Sequence, residues 1–128
     1  MGKSRRTIKG TSKKDVLTGS KKKNRIKGYG GDDLIEPGDG MYKVWGGKGK
    51  DTFVTTSFGK GHMKIMDMEA GEIIEFCGCR STDLEQRGKD VWIVLGDDVK
   101  AVIKNAKEEM FETDFPNATI TMLSEPVV

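Results

Sequence analysis

The sequence predicts an all-β domain built from a short internal repeat. Seventeen of its 128 residues are glycine, about twice the usual share of ~7%, and glycine favours backbone turns over long helices. Apolar residues recur at every ninth position from Ile8 to Phe53, and such periods are typical of stacked repeats. Only 35% of the chain is hydrophobic and 33% is charged, which indicates a narrow core within one domain.

The repeat unit is a nonapeptide whose frame begins at Gly10. The units in residues 10–54 read GTSKKDVLT, GSKKKNRIK, GYGGDDLIE, PGDGMYKVW and GGKGKDTFV, and MGKSRRTIK at residues 1–9 fits the frame loosely. The eighth position is apolar in every unit: Ile8, Leu17, Ile26, Ile35, Val44 and Phe53. This regularity has a chance probability of about 0.002 in one frame. The period therefore reflects the fold rather than the composition.

These units resemble the nonapeptide G-G-x-G-x-D-x-U-x of RTX, or haemolysin-type, calcium-binding proteins. In that family six residues form a calcium-binding turn, and the remaining three form a short strand. Two nonapeptides complete one coil. The resemblance therefore implies a right-handed parallel β-roll with 18 residues per coil, in which each strand contributes one inward apolar residue and pairs with the strands of the stacked coils.

The resemblance also implies a calcium site on one side of the roll. When two units make a coil, alternate turns stack, so the sixth-position residues Asp15, Asp33 and Asp51 lie in one row. Calcium takes about six to eight oxygen ligands, and carboxylates supply the charge. The family holds each ion between stacked turns, so we expect zero to two Ca²⁺ ions. The implied ligand positions are Asp15, Gly28, Gly30, Asp32, Asp33, Gly46, Lys48, Gly49 and Asp51.

The two gaps between these three turns differ in quality. The gap between turns 28–33 and 46–51 is the better one, because several glycines ease its turns and Asp32 adds charge. The gap that involves turn 10–15 is weaker, because lysines replace the usual fourth glycine and its neighbour. A β-roll that no longer binds metal remains the alternative.

The opposite side of the roll departs from the family pattern. Its sixth positions are Arg6, Asn24 and Tyr42 instead of aspartate, so we expect this side to have lost calcium. We expect basic side chains to donate to the turn carbonyls there in place of an ion. The candidates are Arg5, Arg6, Lys22 and Lys23.

The C-terminal half continues the repeat once and then leaves it. After Val54 the frame slips by three residues, and FGKGHMKIM (58–66) reads as a further unit with Ile65 inward. Residues 64–76 resemble the flank that follows the last repeat in the family, I-x-D-F-x-x-G-x-D-x-I. A methionine replaces the usual phenylalanine of that flank, and Glu72 replaces the aspartate.

The remaining sequence predicts a β cap on the roll. Apolar runs at 90–95 and 99–103 surround a Gly-Asp-Asp turn and predict two strands, and residues 104–112 predict a short helix. We expect residues 1–54 to form the β-roll and residues 55–128 to form its last degenerate rung and the cap. Such a cap would cover the strand edges and core at the end of the roll.

The net charge of +2 conceals an asymmetry along the chain. Residues 1–27 contain eleven basic residues and one acid, giving +10, whereas residues 28–128 contain eleven basic and nineteen acidic residues, giving −8. Such a split is typical of tails that bind nucleic acid or membranes. Here glycines and aliphatic residues interrupt the basic stretch, so we expect the lysines to occupy repeat turns. Nucleic-acid binding through these coils is therefore the weakest of the functions considered.

The sequence contains no constellation typical of an enzyme. His62 is the single histidine, and we expect it in an exposed loop. Cys77 and Cys79 are the only cysteines, and their close spacing predicts free thiols because so short a bridge would be strained. These three residues cannot complete a four-ligand zinc site. No nucleophile or phosphate-loop motif is present, so we expect the protein not to be an enzyme.

Targeting features favour a location outside the cell. No apolar stretch approaches the ~20 residues of a membrane helix, and the first residues lack the hydrophobic run of a cleavable signal peptide. Residues 124–128, SEPVV, resemble the uncleaved C-terminal signal of type I secretion. We expect an extracellular, cell-surface or virion-surface protein.

Two functions fit these observations. The first is a non-catalytic calcium-binding β-roll that acts as an extracellular or particle-surface structural or adhesion protein. The second is a virion or surface-layer component that uses a metal-poor β-roll as an assembly plug. The expected partners are calcium, other structural proteins, or surface glycans that contact outward aromatic residues. These aromatic residues are Tyr29, Tyr42 and Trp45.

Overall fold

The computed structural model describes residues 7–18, 25–36, 41–55 and 62–123. Within these ranges the chain forms β-strands and one short 3₁₀ helix but no α-helix, which confirms the all-β prediction. The elements are β1 (Thr7–Lys9), β2 (Val16–Thr18), β3 (Arg25–Lys27), β4 (Leu34–Glu36), β5 (Met41–Trp45), β6 (Thr52–Val54), β7 (His62–Ile65), β8 (Ile73–Glu75), β9 (Thr82–Arg87), β10 (Asp90–Leu95), β11 (Asp98–Ile103), the 3₁₀ helix (Glu108–Met110), β12 (Phe111–Asp114) and β13 (Thr119–Met122). The interpretations that concern Arg5, Arg6, Lys22, Lys23, Asn24 and residues 124–128 lie outside the described residues.

The strands form two sheets that separate alternate repeat units. Sheet A has the strand order β1-β3-β5-β7-β11-β10-β9, and sheet B has the order β12-β13-β8-β6-β4-β2. Every pair from β1 to β8 is parallel. Parallel neighbours cannot be joined by a hairpin, and here the chain visits the opposite sheet between them. The architecture is therefore a β-roll.

The strand register confirms a coil of two nonapeptides. Paired residues in the roll are 18 positions apart: Ile8, Ile26 and Val44 in sheet A, and Leu17, Ile35 and Phe53 in sheet B. All but Ile8 are buried, and Ile8 packs against the core from its edge. Because side chains alternate along a strand, the residues on either side of each apolar one point outward. The eighth repeat position thus lines a narrow core, as the sequence predicts.

The predicted three-residue slip is present in both sheets. Val44 pairs with Ile65 in sheet A and Phe53 pairs with Ile74 in sheet B, so each partner is 21 positions away instead of 18. Ile65 is fully buried, which confirms its predicted inward position. His62 is the first residue of β7, so its placement in a loop is wrong: the strand begins early enough for His62 to pair with Met41.

A β cap continues both sheets beyond the roll. β11 pairs parallel to β7, and β10 and β9 follow in antiparallel order. β13 and β12 extend sheet B beside β8, also antiparallel. The predicted β10–β11 hairpin is confirmed. Side chains of the cap join the same apolar cluster as the roll, including Met110, Ile120 and Met122.

Three expectations about the C-terminal half and the aromatic residues are wrong. A helix over 104–112 is reduced to the 3₁₀ turn Glu108–Met110, because Met110 is buried in the core and the chain then extends as β12. Tyr42 is only 3% exposed, since it lies two residues before Val44 and therefore shares its inward face. Cys77 and Cys79 form a disulfide rather than free thiols.

The disulfide is possible because of the residue between the two cysteines. Gly78 has a φ of +73°, a left-handed conformation that glycine adopts readily. The turn brings the Cα atoms of Cys77 and Cys79 to 5.2 Å, inside the usual range of about 4.4–6.8 Å for bridged cysteines. Spacing along the chain was therefore a poor guide to bridging here.

Candidate metal centre

The three sixth-position aspartates lie in one row along the roll. The main-chain N–H of Asp15 donates to Asp33 Oδ1 at 2.9 Å, and the N–H of Asp33 donates to Asp51 Oδ1 at 3.0 Å. Each of these bonds joins one coil to the next, because the partners are 18 residues apart. The structure therefore brings together the three aspartates that the repeat frame aligned.

Two carboxylates in this row keep a buried oxygen atom without a hydrogen-bond partner. Within the described part of the chain, these atoms are Asp33 Oδ2 and Asp51 Oδ2. A buried acceptor that lacks a donor costs about 1–3 kcal/mol, and a bound proton or cation would remove that cost. In the first turn, by contrast, Asp15 Oδ2 accepts the main-chain N–H of Thr11 at 2.6 Å. The open carboxylate oxygens thus lie in the second and third turns.

The glycine that starts each unit makes room for these oxygen atoms. A Cβ atom at Gly28 would collide with Asp33 Oδ2 and would lie 2.6 Å from the carbonyl oxygen of Gly46. A Cβ atom at Gly46 would collide with Asp51 Oδ2. A buried carboxylate oxygen beside a main-chain carbonyl suits a hard cation such as calcium. The residues at the gap between turns 28–33 and 46–51 therefore fit the ion that the repeat implies.

The other predicted ligand positions mainly join one turn to the next. The N–H groups of Gly30 and Lys48 donate to carbonyl oxygens of the preceding coil at 3.1 and 2.7 Å, and Gly49 packs against a carbonyl of that coil. Asp32 is exposed, and its Oδ1 accepts the N–H of Lys50 at 2.8 Å. In the described ranges, no group of three or more His, Cys, Asp or Glu side chains could hold a metal. An ion would therefore depend on carboxylates combined with main-chain carbonyls.

Glu72 forms a fourth rung of the row and was not among the predicted site residues. The N–H of Asp51 donates to Glu72 Oε2 at 3.2 Å, and the N–H of Glu69 donates to Glu72 Oε1 at 2.8 Å. Glu72 is 1% exposed. It lies 21 residues after Asp51, so it continues the row across the three-residue slip. The flank pattern carries an acid next to this position, and that was the signal that could have identified Glu72.

Asp67 and Lys50 fasten the same flank to the last repeat turn. The N–H groups of Gly46 and Gly47 donate to Asp67 Oδ1 and Oδ2 at 2.8 and 3.0 Å. The amine of Lys50 donates to the carbonyl oxygen of Ala70 at 2.8 Å. Residues 67–72 therefore hold turn 46–51 in place at three points, which are Asp67, Ala70 and Glu72. Asp67 stands at the third position of the predicted flank, but its role as an acceptor depends on tertiary contacts that the pattern does not describe.

Burial and mutual repulsion raise the pKa values of these acids. Burial is the main cause of the raised pKa of Asp33, and the charges of Asp15 and Asp32 add to it. Burial also raises the pKa of Asp51 to about 7 and that of Glu72 to about 8. Hydrogen bonds from main-chain N–H groups oppose these increases. A hydrogen bond between the two carboxyl groups, formed when one of them is protonated, lowers the pKa of Asp51 and raises that of Glu72. Stacked carboxyls of this kind favour either a proton or a cation at neutral pH.

The repeat region matches a known family. Residues 9–40, about a quarter of the chain, match the sequence model of the RTX calcium-binding nonapeptide repeat in four copies. Among curated proteins, none matches the chain significantly. The matched residues include the first two aspartates of the row and the glycine whose missing Cβ admits Asp33 Oδ2. The resemblance drawn from the repeat frame is thus confirmed for residues 9–40, which match the RTX calcium-binding nonapeptide repeat.

Proposed function

We propose that this calcium-binding β-roll module works outside the cell as a non-catalytic structural or adhesion protein, with calcium as its folding cofactor. The observation that carries the proposal is the pair of buried carboxylate oxygens without partners, Asp33 Oδ2 and Asp51 Oδ2. Calcium supplies positive charge between these turns when it is bound. The chain's own contribution is to align the carboxylates and to keep the glycine positions open for them.

The gap between turns 28–33 and 46–51 is the preferred site for the first ion. Asp33 Oδ2 and the Gly46 carbonyl oxygen approach the same point beside Gly28. The equivalent point beside Gly10 is closed in part, because Asp15 Oδ2 already accepts a main-chain N–H. We therefore expect the second gap to bind calcium more tightly than the first.

Calcium at extracellular concentrations suits such a site. Extracellular calcium modules bind with dissociation constants of about 10⁻⁴–10⁻³ M, and binding energy becomes folding energy when the site exists only in the folded chain. RTX repeats are typical of secreted or extracellular proteins. Among the described residues, no helix has the length and hydropathy needed to cross a membrane.

A second candidate function is an assembly plug within a virion or surface layer. Within the described residues, β1 and β2 each have a neighbour on one side only, and Val16 in β2 is 66% exposed. Unpaired strand edges are templates for pairing with another chain. This candidate predicts that the metal-free protein sediments as multimers, whereas the calcium-dependent module does not require them.

The calcium proposal is tested by a calcium titration of the wild-type protein and two variants that lose the same charge. We expect the wild-type circular dichroism spectrum to gain β signal between chelator and millimolar calcium. Asp33→Asn removes the open carboxylate, so calorimetry should show affinity reduced about 100-fold. The matched control Asp97→Asn removes an equal charge from the exposed turn between β10 and β11 and should change affinity by less than about threefold.

The result that contradicts the proposal is equally specific. Identical wild-type spectra and melting temperatures in chelator and in calcium would show that the roll does not use the ion. Equal loss of affinity in both variants would show that calcium responds to net charge and not to the buried oxygen of Asp33.

A further inference from the structure

The outer face of sheet A is basic. In sheet A the inward residues Ile26, Val44 and Ile65 pair with one another across the strands, and Ile103 follows in β11. Because side chains alternate, residues one position before or after them point outward. Most of these outward positions are Lys or Arg. We call them the basic face: Lys9, Arg25, Lys27, Lys43, Lys64 and Lys104.

Sheet B shows that this charge is not a general property of the repeats. The residues that flank its inward positions are Val16, Thr18, Leu34, Glu36, Thr52, Val54, Ile73 and Glu75. They include two acids and no base, although the two sheets are built from alternating units of the same repeat. The two faces of the roll therefore carry opposite charge. The expectation that the basic residues occupy turns is wrong for Lys9, Arg25 and Lys27, which lie in strands.

The cations of the basic face lie directly beside one another. Arg25 pairs with Lys43 and Lys43 pairs with Lys64, while Lys9 pairs with Lys27. Neighbouring strands are about 4.8 Å apart, and like charges directly opposite each other destabilise a sheet. An ion pair joins Arg87 and Glu85 in the cap, and it involves none of the six cations of the basic face.

A cleft lies at one end of the same face. The outward row that begins with Lys9 and Lys27 continues through Trp45 and Met66 to Lys104. The cleft has a volume of about 540 Å³, and Lys104 lines it together with Lys89 and Lys107. Its acid, Asp67, already accepts two main-chain N–H groups. Lys104 belongs both to the basic face and to the lining of the cleft, so the two form one positively charged surface, which we call the track.

We propose that this track binds a linear acidic polysaccharide, laid across the strands along the axis of the roll. The repeat of about 4.8 Å between rungs is close to the length of one sugar ring, so a chain with one carboxylate per sugar can meet one cation per rung. From Lys9 to Lys104 the row spans roughly 20 Å, which accommodates several sugars. This inference goes beyond calcium binding and requires only the folded roll.

The shape of the face favours a polysaccharide over a nucleic acid. The face is a flat sheet with no helix or ribbon that could enter a groove of double-stranded DNA. Single-stranded nucleic acids bind through aromatic rings on which bases stack. Trp45 and Trp92 are aromatic residues of the described strands that lie on this face. The Lys27 amine covers the Trp45 ring at 5.3 Å, and the Arg87 guanidinium covers the Trp92 ring at 4.3 Å. The face thus offers charge without a free stacking surface.

Binding to a short oligogalacturonide at low salt and fixed calcium tests the proposal. The double variant Lys43→Gln/Lys64→Gln removes two neighbouring cations from the face, and we expect affinity to fall by about tenfold or more. The matched control, Lys13→Gln/Lys14→Gln, removes the same charge from an exposed turn off the face. It should lose less than about twofold. Circular dichroism checks that both variants remain folded.

Three outcomes would overturn the proposal. Wild-type protein that binds a neutral dextran as well as the oligogalacturonide would show that charge is not involved. Equal losses in the two double variants would show that net charge, and not the face, attracts the polyanion. Tighter binding of a single-stranded DNA of equal charge would assign the face to nucleic acid instead.

Discussion

The first and second turns of the aspartate row occupy equivalent repeat positions but differ in how their carboxylates are satisfied. In the first turn, Asp15 Oδ2 accepts the N–H of Thr11 and also contacts its hydroxyl at 3.0 Å. In the second turn, Asp33 Oδ2 is buried and has no partner among the described residues. The two turns differ in their position along the stack and in the presence of Thr11 in the first turn. A repeat motif therefore identifies candidate ligands, whereas local donors decide which of them remain open.

The largest expected effect comes from filling the space between the second and third turns. Gly47 has a φ of +79°, and a Cβ atom there would collide with the carbonyl group of Tyr29. Gly47→Ala should therefore lower the free energy of unfolding by about 3–5 kcal/mol, because both the backbone conformation and the turn contact are lost. Chemical denaturation in calcium measures the change.

Gly88→Ala provides the matched control for that variant. Gly88 has a φ of +61°, but a Cβ atom there would meet nothing within 4 Å. Its cost should be limited to the backbone conformation, about 1–2 kcal/mol. Equal destabilisation by the two substitutions would show that close packing between turns contributes nothing beyond the glycine conformation.

A change of pH should have a smaller effect on the stability of the metal-free protein. This effect should come from Asp51 and Glu72, at the buried end of the row. Folding raises the pKa of Asp51 to about 7 and that of Glu72 to about 8, so these groups stabilise the metal-free fold while they are protonated. That stability is complete below their unfolded pKa values of about 4 and is lost as the pH rises through 7 and 8. The melting temperature in chelator should therefore fall between about pH 4 and pH 8 and change little at higher pH.

Calcium should reverse the direction of this dependence. The ion binds the deprotonated carboxylates, so its affinity should increase over the same pH interval. Glu72→Gln should flatten the metal-free melting curve near pH 8, whereas Glu75→Gln, an exposed acid in the adjacent strand, should leave it unchanged. A melting temperature in chelator that rises with pH would contradict the prediction.

The smallest expected effect concerns the donor that distinguishes the first turn. Thr11→Val removes a hydroxyl that contacts both oxygens of Asp15 at 3.0 and 3.2 Å and accepts the N–H of Lys13 at 3.0 Å. It leaves the shorter bond from the Thr11 N–H to Asp15. Unfolding free energy should decrease by about 0.5–1 kcal/mol. Ser12→Ala, at the next exposed position, is the control and should change stability less. If Thr11→Val is silent, the main-chain N–H alone satisfies Asp15.

The periodic parts of this fold were predictable because the same residue types recur at the same positions of successive repeat units. One apolar residue per nonapeptide fixed the inward face of β2, β4 and β6, and the two-unit coil aligned Asp15, Asp33 and Asp51. Each position was supported by several independent units. The resemblance to RTX repeats then predicted that this regularity forms a β-roll.

The parts that depend on single contacts were not predictable. Glu72 and Asp67 complete the last turn through side chains that act across the three-residue slip, and a repeat frame says nothing about residues outside it. Tyr42 was placed by its turn position rather than by its distance from Val44 in the strand. The Cys77–Cys79 bridge depends on the conformation of one glycine.

The hydrogen bonds of the carboxylate row all point the same way. The N–H of Asp15 relies on Asp33, that of Asp33 on Asp51, and that of Asp51 on Glu72. Deleting coils from the amino-terminal side therefore leaves every surviving amide with its acceptor, whereas deleting the flank strips the acceptor from the last one. The stabilisation of the coils therefore has a direction along the chain. Each coil depends on an acceptor in the coil that follows it, and the last coil depends on residues 67–72.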